Sequence, residues 1–461
     1  MTHIQPHWAF DAFFYHIYPL GFCSAPPRND FTSAPTPRLE KISAWIPHLK
    51  DLHVNAVYLG PVFESTAHGY DTADYFHVDR RLGDNATLAR VCADLHRAGI
   101  RVILDGVFNH VGRDFWAFRD VKQHLAASPY CAWFQGLDFN GHSSFNDPFS
   151  YEGWNGNYDL VKLNFQNPEV KKHLFAAIQS WVKEFGIDGL RLDVADALDP
   201  QFLKELHSFT RGLRPDFWLM GEVIHGDYNQ WANPQMLDSV TNYECYKGLY
   251  SSHNDHNYFE IAWSLNRQFG AEGLYRGLPL YNFADNHDVD RVAGSLKDPA
   301  HLYPLYCLLF SMPGVPSIYY GSEWGLAAKR TPTDDSPLRP SLELSTAPTL
   351  GIQPDLCNAI AKLAEIRLGS PALKYGDYTQ LFVSSEQLAF MRSVDGESVV
   401  VAVNASHQPA RLELPLPMSA AKAIDLLNPG DSFPVHDGKL VIDSVPPCWA
   451  RLLRLKRPET S

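Results

Sequence analysis

No apolar run in this 461-residue chain approaches the length needed to cross a bilayer, so a membrane-spanning helix is not expected. The first ten residues, Met1 to Phe10, lack both a basic n-region and an apolar h-region, and so do not read as a secretory leader. Cysteine is sparse and unpatterned. Cys23, Cys92, Cys131, Cys245, Cys307, Cys357 and Cys448 are odd in number and scattered, implying neither a disulfide framework nor a metal-type pair. A reduced cytoplasm is the expected location. Positive charge is also short: the formal balance of −13 argues against nucleic acid and anionic membranes as partners. Internal repeats and low-complexity tracts are missing.

Aromatic residues are plentiful at 13%, including 11 Trp and 21 Tyr. Their flat apolar faces with polar tips suit sugar rings, although core filling accounts for most of them. The length requires more than one domain. For some 370 residues, apolar strand-like runs alternate with amphipathic helical stretches, the pattern of βα units and a parallel sheet. Strands are expected near 13–19, 54–60, 101–108, 187–193, 217–223, 238–242, 278–284 and 315–320. Eight such units predict an α/β fold, a closed (β/α)8 TIM barrel. The rhythm breaks between Val111 and Asn167, which reads as an irregular insertion after strand three. A helix from Pro168 to Phe185, closed by Gly186, restores it. Beyond Ser370, alternating runs such as Ser398 to Asn404 predict a C-terminal antiparallel β-domain. The expected division is barrel 1–110, inserted domain 111–167, barrel 168–370 and a β-sandwich over 371–461.

Three strands close on carboxylates: Asp193, Glu222 and Asp288. A buried unpaired carboxylate is costly, so acids at the ends of core strands should meet at one open mouth. In a parallel barrel, that mouth is where catalysis occurs. Two close carboxylates are the minimum for cleaving a glycosidic bond. Arg191 and Asp193 are two apart on a strand and share a face. A guanidinium there favours an ionised carboxylate. Asp105-Gly-Val-Phe-Asn-His110 ends a further strand, and Asn286-His-Asp288 closes the one that carries Asp288. Each segment alone would pass as a polar turn, an ion pair or a helix cap; their order on successive strands is specific.

These segments resemble those of the α-amylase superfamily, glycoside hydrolase family 13. Ala67-His-Gly-Tyr-Asp-Thr-Ala-Asp-Tyr75 and Gly314-Val-Pro-Ser-Ile-Tyr-Tyr-Gly-Ser-Glu323 add to the likeness. The resemblance implies Asp193 as nucleophile, Glu222 as general acid/base and Asp288 as the acid that holds sugar hydroxyls. It implies substrate-binding roles for Tyr70, His68, His110, Arg191 and His287, with Asp105 organising the site. It also implies a retaining double displacement, with the Asp193 and Glu222 carboxyls about 5–5.5 Å apart. Lys162-Leu-Asn164, Arg191 to Ala195 and Thr241-Asn-Tyr243 look like the neopullulanase and cyclomaltodextrinase branch.

The expected partner is a neutral α-glucan oligosaccharide, small or cyclic, cut at α-1,4 linkages; cyclic maltosyl-maltose is one such substrate. A 4-α-glucanotransferase, an α-1,6- or sucrose-type glucosidase, and a non-catalytic binding barrel are the alternatives. Three features depart from that branch. A barrel strand beginning by Phe13 leaves no room for its N-terminal domain, so the expectation is a monomer or homodimer. Asp196-Ala197 stands where Asn-Glu is usual. The segment Glu244 to Tyr250 matches no known specificity. No cofactor is expected to be required. Asn109 matches a calcium ligand of many α-amylases, and Asp138, Asn140, Asn146 and Asp147 in the insertion are further oxygen donors for a structural calcium.

Overall fold

The protein is described by a computed structural model over residues 8–457. The start of the chain, on which the reading of no leader partly rests, lies outside the described residues up to His7. Eight parallel strands form one sheet: β1 Phe14–Ile17, β2 Ala56–Leu59, β3 Arg101–Gly106, β4 Gly189–Leu192, β5 Trp218–Gly221, β6 Ser239–Val240, β7 Tyr281–Phe283 and β8 Val315–Tyr319. Their spatial order is β6-β5-β4-β3-β2-β1-β8-β7. A parallel bridge between Thr241 and Tyr281 joins β6 to β7 and closes the barrel.

Strand periodicity divides the side chains into two cores. Phe14, Ala56, Tyr58, Ile103, Trp218, Met220, Tyr281 and Phe283 fill the barrel interior. Their neighbours Tyr15, Val57, Leu104, Leu190 and Leu219 face outward into the core beneath the helices. Strands buried on both faces are continuously apolar for this reason. The expected helix is Pro168–Phe185. Asn167 caps it by accepting from the Glu169 amide at 2.9 Å, and Gly186 ends it at φ +67.

The insertion is more ordered than its composition suggests. His110–Gly112, Asn157–Lys162 and Gly153–Trp154 form a three-stranded sheet, and Trp116–His124 is a helix. That helix buries Ala117, Phe118 and Val121. Three apolar positions amid polar residues are a short signal, which explains why the helix was not expected.

After Pro371–Tyr375, which is helical, eight strands run from Asp377–Val383 to Trp449–Lys456 in a single antiparallel ladder. The ladder folds over on itself around Met391, Val400, Ala402, Leu414, Ile442 and Leu453. Along Glu397–Asn404 the alternation decides which core each side chain joins. Val400 and Ala402 enter that inner core, whereas Val399, Val401 and Val403 pack into the core shared with the barrel helices. The β-domain is therefore anchored to the barrel through one face of a central strand. No helix among the described residues is long and apolar enough to cross a membrane.

Candidate active site

The site lies at the C-terminal ends of the barrel strands, where the strand register prepares it. Asp105 on β3 stands opposite Arg191 on β4, and Leu192 opposite Gly221 on β5. The residues that follow, Asp193 and Glu222, are therefore neighbours on adjacent strands. Arg191 is 3% exposed and ties the three acids together. Its Nη1 donates to Asp105 Oδ1 at 3.0 Å and to Asp193 Oδ1 at 3.0 Å. Its Nη2 lies 2.9 Å from Glu222 Oε2. A planar fork can bridge several carboxylates in this way; a point-like ammonium cannot.

The turn after Asp193 is strained. Val194 has φ +40, a left-handed conformation that a β-branched residue rarely adopts. In that conformation its amide donates to Glu222 Oε2 at 3.0 Å. The next amide, of Ala195, donates to the Glu222 carbonyl at 2.9 Å. The strain thus fixes one acid relative to the other.

A hairpin between Phe63–Ser65 and Thr72–Val78 carries His68 and Tyr70 over the mouth. Asp71 shapes its tip, accepting from Ala67 N at 2.8 Å and Gly69 N at 3.2 Å. Gly69 sits at φ +89, and a Cβ there would fall 2.6 Å from Pro61 Cβ, so this turn requires glycine. Tyr70 donates to Asp105 Oδ2 at 3.2 Å and hydrogen-bonds His287 Nε2. His287 Nε2 is 3.0 Å from Asp288 Oδ2, and Arg339 Nη2 donates to Asp288 Oδ1 at 2.9 Å.

Asp193, Glu222, Asp288, Tyr70, His68 and His110 line a single cleft of about 1050 Å³. Asp105, Arg191 and His287 lie beneath it, joined to the lining residues by the bonds above. Trp154 and Leu160 of the insertion form part of the wall. His110 Nε2 is buried with no hydrogen-bond partner, 3.8 Å from Asp193 Oδ2. Burial pushes the His110 imidazole down to about 3, so it is neutral.

Sequence reasoning missed several members. Tyr243, at the start of the helix after β6, reaches Glu222 Oε1 at 3.5 Å and accepts from Asn286 Nδ2 at 3.2 Å. Tyr58 on β2 donates to Asp105 Oδ2 at 2.7 Å. Arg339, in the long segment after β8, packs its guanidinium over the Tyr18 ring at 4.6 Å. Tyr58 was readable as an inward-facing strand residue. Tyr243 stood in the Thr241-Asn-Tyr243 segment, which spoke for the branch and not for a place in the site, and Arg339 carried no local signal.

Charge is not balanced in the floor of the site. One guanidinium faces Asp105, Asp193 and Glu222. Burial pushes the Asp193 carboxyl well above the ordinary carboxylate range; Arg191 opposes this, while Glu222 and Asp105 add to it. Asp288 shifts the other way. Burial would raise it, but His287 and Arg339 hold it well below the usual range.

Among the residues expected for calcium, the carboxylates of Asp138 and Asp147 already accept hydrogen bonds. Asn109 Nδ2 pairs with His110 Nδ1 at 3.2 Å. Arg113 neutralises Asp147 through two bonds of 2.7 and 2.9 Å. Asp138 Oδ1 accepts from the backbone and side chain of Asn140.

A closed parallel barrel with acids of adjacent strands paired in a cleft at this end defines a glycoside hydrolase. The chain belongs to the α-amylase family: residues 16–347 match the alpha amylase catalytic domain. Residues 378–448 match the maltogenic amylase C-terminal domain. A cyclomaltodextrinase of a Bacillus species is 32% identical over 422 residues, covering 87% of this chain and 73% of that protein. Neopullulanase 2 of Thermoactinomyces vulgaris is 32% identical over 439 residues, 90% of this chain and 73% of that protein. The solved cyclic α-maltosyl-(1→6)-maltose hydrolase of Arthrobacter globiformis, in complex with that sugar, superposes with a TM-score of 0.81. It shares 28% identity over 97% of this chain and 99% of that one.

Proposed function

We propose that the protein hydrolyses α-1,4 linkages of small or cyclic malto-oligosaccharides, cyclic maltosyl-maltose among them, with retention of configuration. Asp193 attacks the anomeric carbon as the carboxylate. Glu222 gives its proton to the departing glycosidic oxygen, leaving a glycosyl ester on Asp193. Glu222, now ionised, takes a proton from water, which attacks C1 from the side the leaving group vacated and frees Asp193. Asp288 binds hydroxyls of the same ring. His110 Nε2 and Tyr70 complete that subsite, while Asp105 and Arg191 hold the acids in place.

The observation that carries this reading is the grip of one buried guanidinium on both acids, at 3.0 and 2.9 Å. Neighbouring positions on adjacent strands, about 4.8 Å apart, support the short carboxyl separation of a retaining enzyme. A cleft of about 1050 Å³ suits an oligosaccharide rather than a polymer strand. The seven free cysteines support a reducing compartment such as the cytoplasm.

A 5-fluoro-α-glucosyl fluoride should trap the ester, and peptide mapping should place the label on Asp193. Product anomers read by proton NMR should begin as α. A β-anomer first, or a label elsewhere, overturns the mechanism. Incubation with β-cyclodextrin, maltotriose, panose, sucrose and cyclic maltosyl-maltose tests the substrate class, and action on sucrose alone overturns it.

A further inference from the structure

A second cluster of reactive side chains stands apart from the cleft, where the barrel meets the β-domain. His301 ends a short turn before the helix Leu302–Ser311. His407 lies in the loop after strand Glu397–Asn404, and Cys448 immediately precedes strand Trp449–Lys456. A ring nitrogen of each histidine and the Cys448 Sγ all lie within 4.8 Å of one another. Among the described residues no other group of three histidine, cysteine or acidic side chains converges so closely.

The arrangement is built rather than incidental. Buried Asn404 ties the two loops together, donating to the carbonyls of Gln408 at 2.8 Å and of Val445 and Pro446 at 3.2 Å. The Cys448 amide donates to the Ser406 carbonyl at 3.0 Å. Cys448 itself sits at φ +45, a conformation unusual for a residue with a side chain. His407 Nε2 pairs with Asp298 Oδ2 at 2.6 Å, leaving its Nδ1 3.7 Å from Cys448 Sγ. Asp298 Oδ2 is also 4.0 Å from His301 Nε2. His301 is 2% exposed; its Nε2 pairs with the Ala405 carbonyl at 3.0 Å, and its Nδ1 has no partner. The nearby His253 and His256 are already engaged, by Leu249 and Tyr258 and by Glu386.

We infer that Cys448, His407 and His301 form a zinc-binding site that clamps the β-domain to the barrel, with Asp298 orienting His407. Zinc takes nitrogen at about 2.0–2.1 Å and thiolate at about 2.3 Å in a tetrahedral shell, which sets ligand atoms roughly 3.3–3.8 Å apart. The pair of His407 Nδ1 and Cys448 Sγ already meets that spacing, and the third atom needs only a small contraction. An imidazole bonded through its other nitrogen to a carboxylate is the arrangement metal-ligating histidines favour. On binding, the Cys448 thiol loses its proton to solvent as the sulfur–metal bond forms, and no electron changes hands. Three protein ligands leave the fourth position for water. Because binding displaces the thiol proton, it should strengthen as pH rises.

The test uses the full chain, stripped with chelator and kept reduced, then titrated with cobalt(II) and back-titrated with zinc(II). The expected result is one equivalent of cobalt, a thiolate-to-cobalt charge-transfer band, its loss to zinc, and a higher melting temperature with zinc. Cys448→Ser should abolish the band. His407→Ala, at an exposed position, should weaken binding at least about tenfold, and Asp298→Asn, which keeps the helix cap, about 10- to 100-fold. Maltotriose hydrolysis should be unchanged in Cys448→Ser and His407→Ala. Absence of the band in the unaltered protein overturns the inference. Its survival in Cys448→Ser also does, since the ion would then sit on another thiol such as Cys131 or Cys357.

Discussion

Nη2 of Arg191 lies 2.9 Å from Oε2 of Glu222, and the same guanidinium reaches Asp193 through Nη1. One rigid plane therefore sets the spacing of two acids from different strands. Arg191→Lys keeps the charge but cannot span both. A carboxylate displaced by an ångström costs on the order of 100-fold in rate. We expect kcat on maltotriose to fall by about that factor with KM little changed, as steady-state kinetics would show. A variant within threefold of the parent would mean that the bridge does not position the acids.

Asp193 and Glu222 should separate by leaving group. Glu222→Gln removes the proton donor, worth about 10²- to 10⁴-fold on an ordinary glycoside. Fluoride leaves without protonation, so α-maltosyl fluoride should still load the enzyme quickly. Asp193→Asn should be inactive on both. Rapid-quench assays on the two substrates check this, and equal damage to both in Glu222→Gln would reverse the assignment.

Arg339 should tune the acid limb of the pH profile. Against burial, which raises it, His287 and Arg339 keep Asp288 ionised well below the usual range. Arg339→Met removes one of the groups that hold it down. Asp288 should then protonate at higher pH, and the acid limb of kcat/KM should move toward neutrality. An acid limb that stays in place would show that Asp288 does not titrate there.

The parts of this site legible in the sequence were those that end strands. Asp105, Arg191, Asp193, Glu222 and Asp288 follow apolar runs, and the strand period of two tells which of them face inward. Tyr243 and Arg339 follow no such rule. They reach the site from a helix after β6 and a long segment after β8, and only the closed barrel brings them there. His287 lies beneath the lining, its ring nearly parallel to those of Tyr18 and Tyr70. Bond partners of this kind depend on packing between distant loops, for which no short motif exists. The eight strands were legible because burial on both faces makes them continuous apolar runs. The helix Trp116–His124 was not, because it needs only three apolar contacts.

The barrel floor makes a structural prediction. Trp218 is fully buried, its ring 5.0 Å from Phe14 and 5.9 Å from Trp8. Trp218→Ala leaves a void that the surrounding strands cannot close, and should cost about 3–5 kcal/mol. Urea unfolding should show the midpoint falling accordingly. A loss below about 1 kcal/mol would contradict the tight packing of this layer.

Asp193 should lower stability at the pH where the enzyme works. Its carboxyl is raised in the folded state, burial being the largest cause, so between the unfolded pKa of about 3.9 and the folded one the native chain binds the extra proton. Its contribution is therefore fully present below about pH 3.9 and is lost as pH rises through the folded value. Asp193→Asn has no proton to lose and keeps the neutral form at every pH. At pH 7 the variant should melt several degrees above the parent; near pH 4 the two should converge. Calorimetry across that range decides the matter. A gap that is constant with pH would trace the effect to packing, and a less stable variant at pH 7 would show that the ionised carboxylate is held by Arg191 more strongly than burial opposes it.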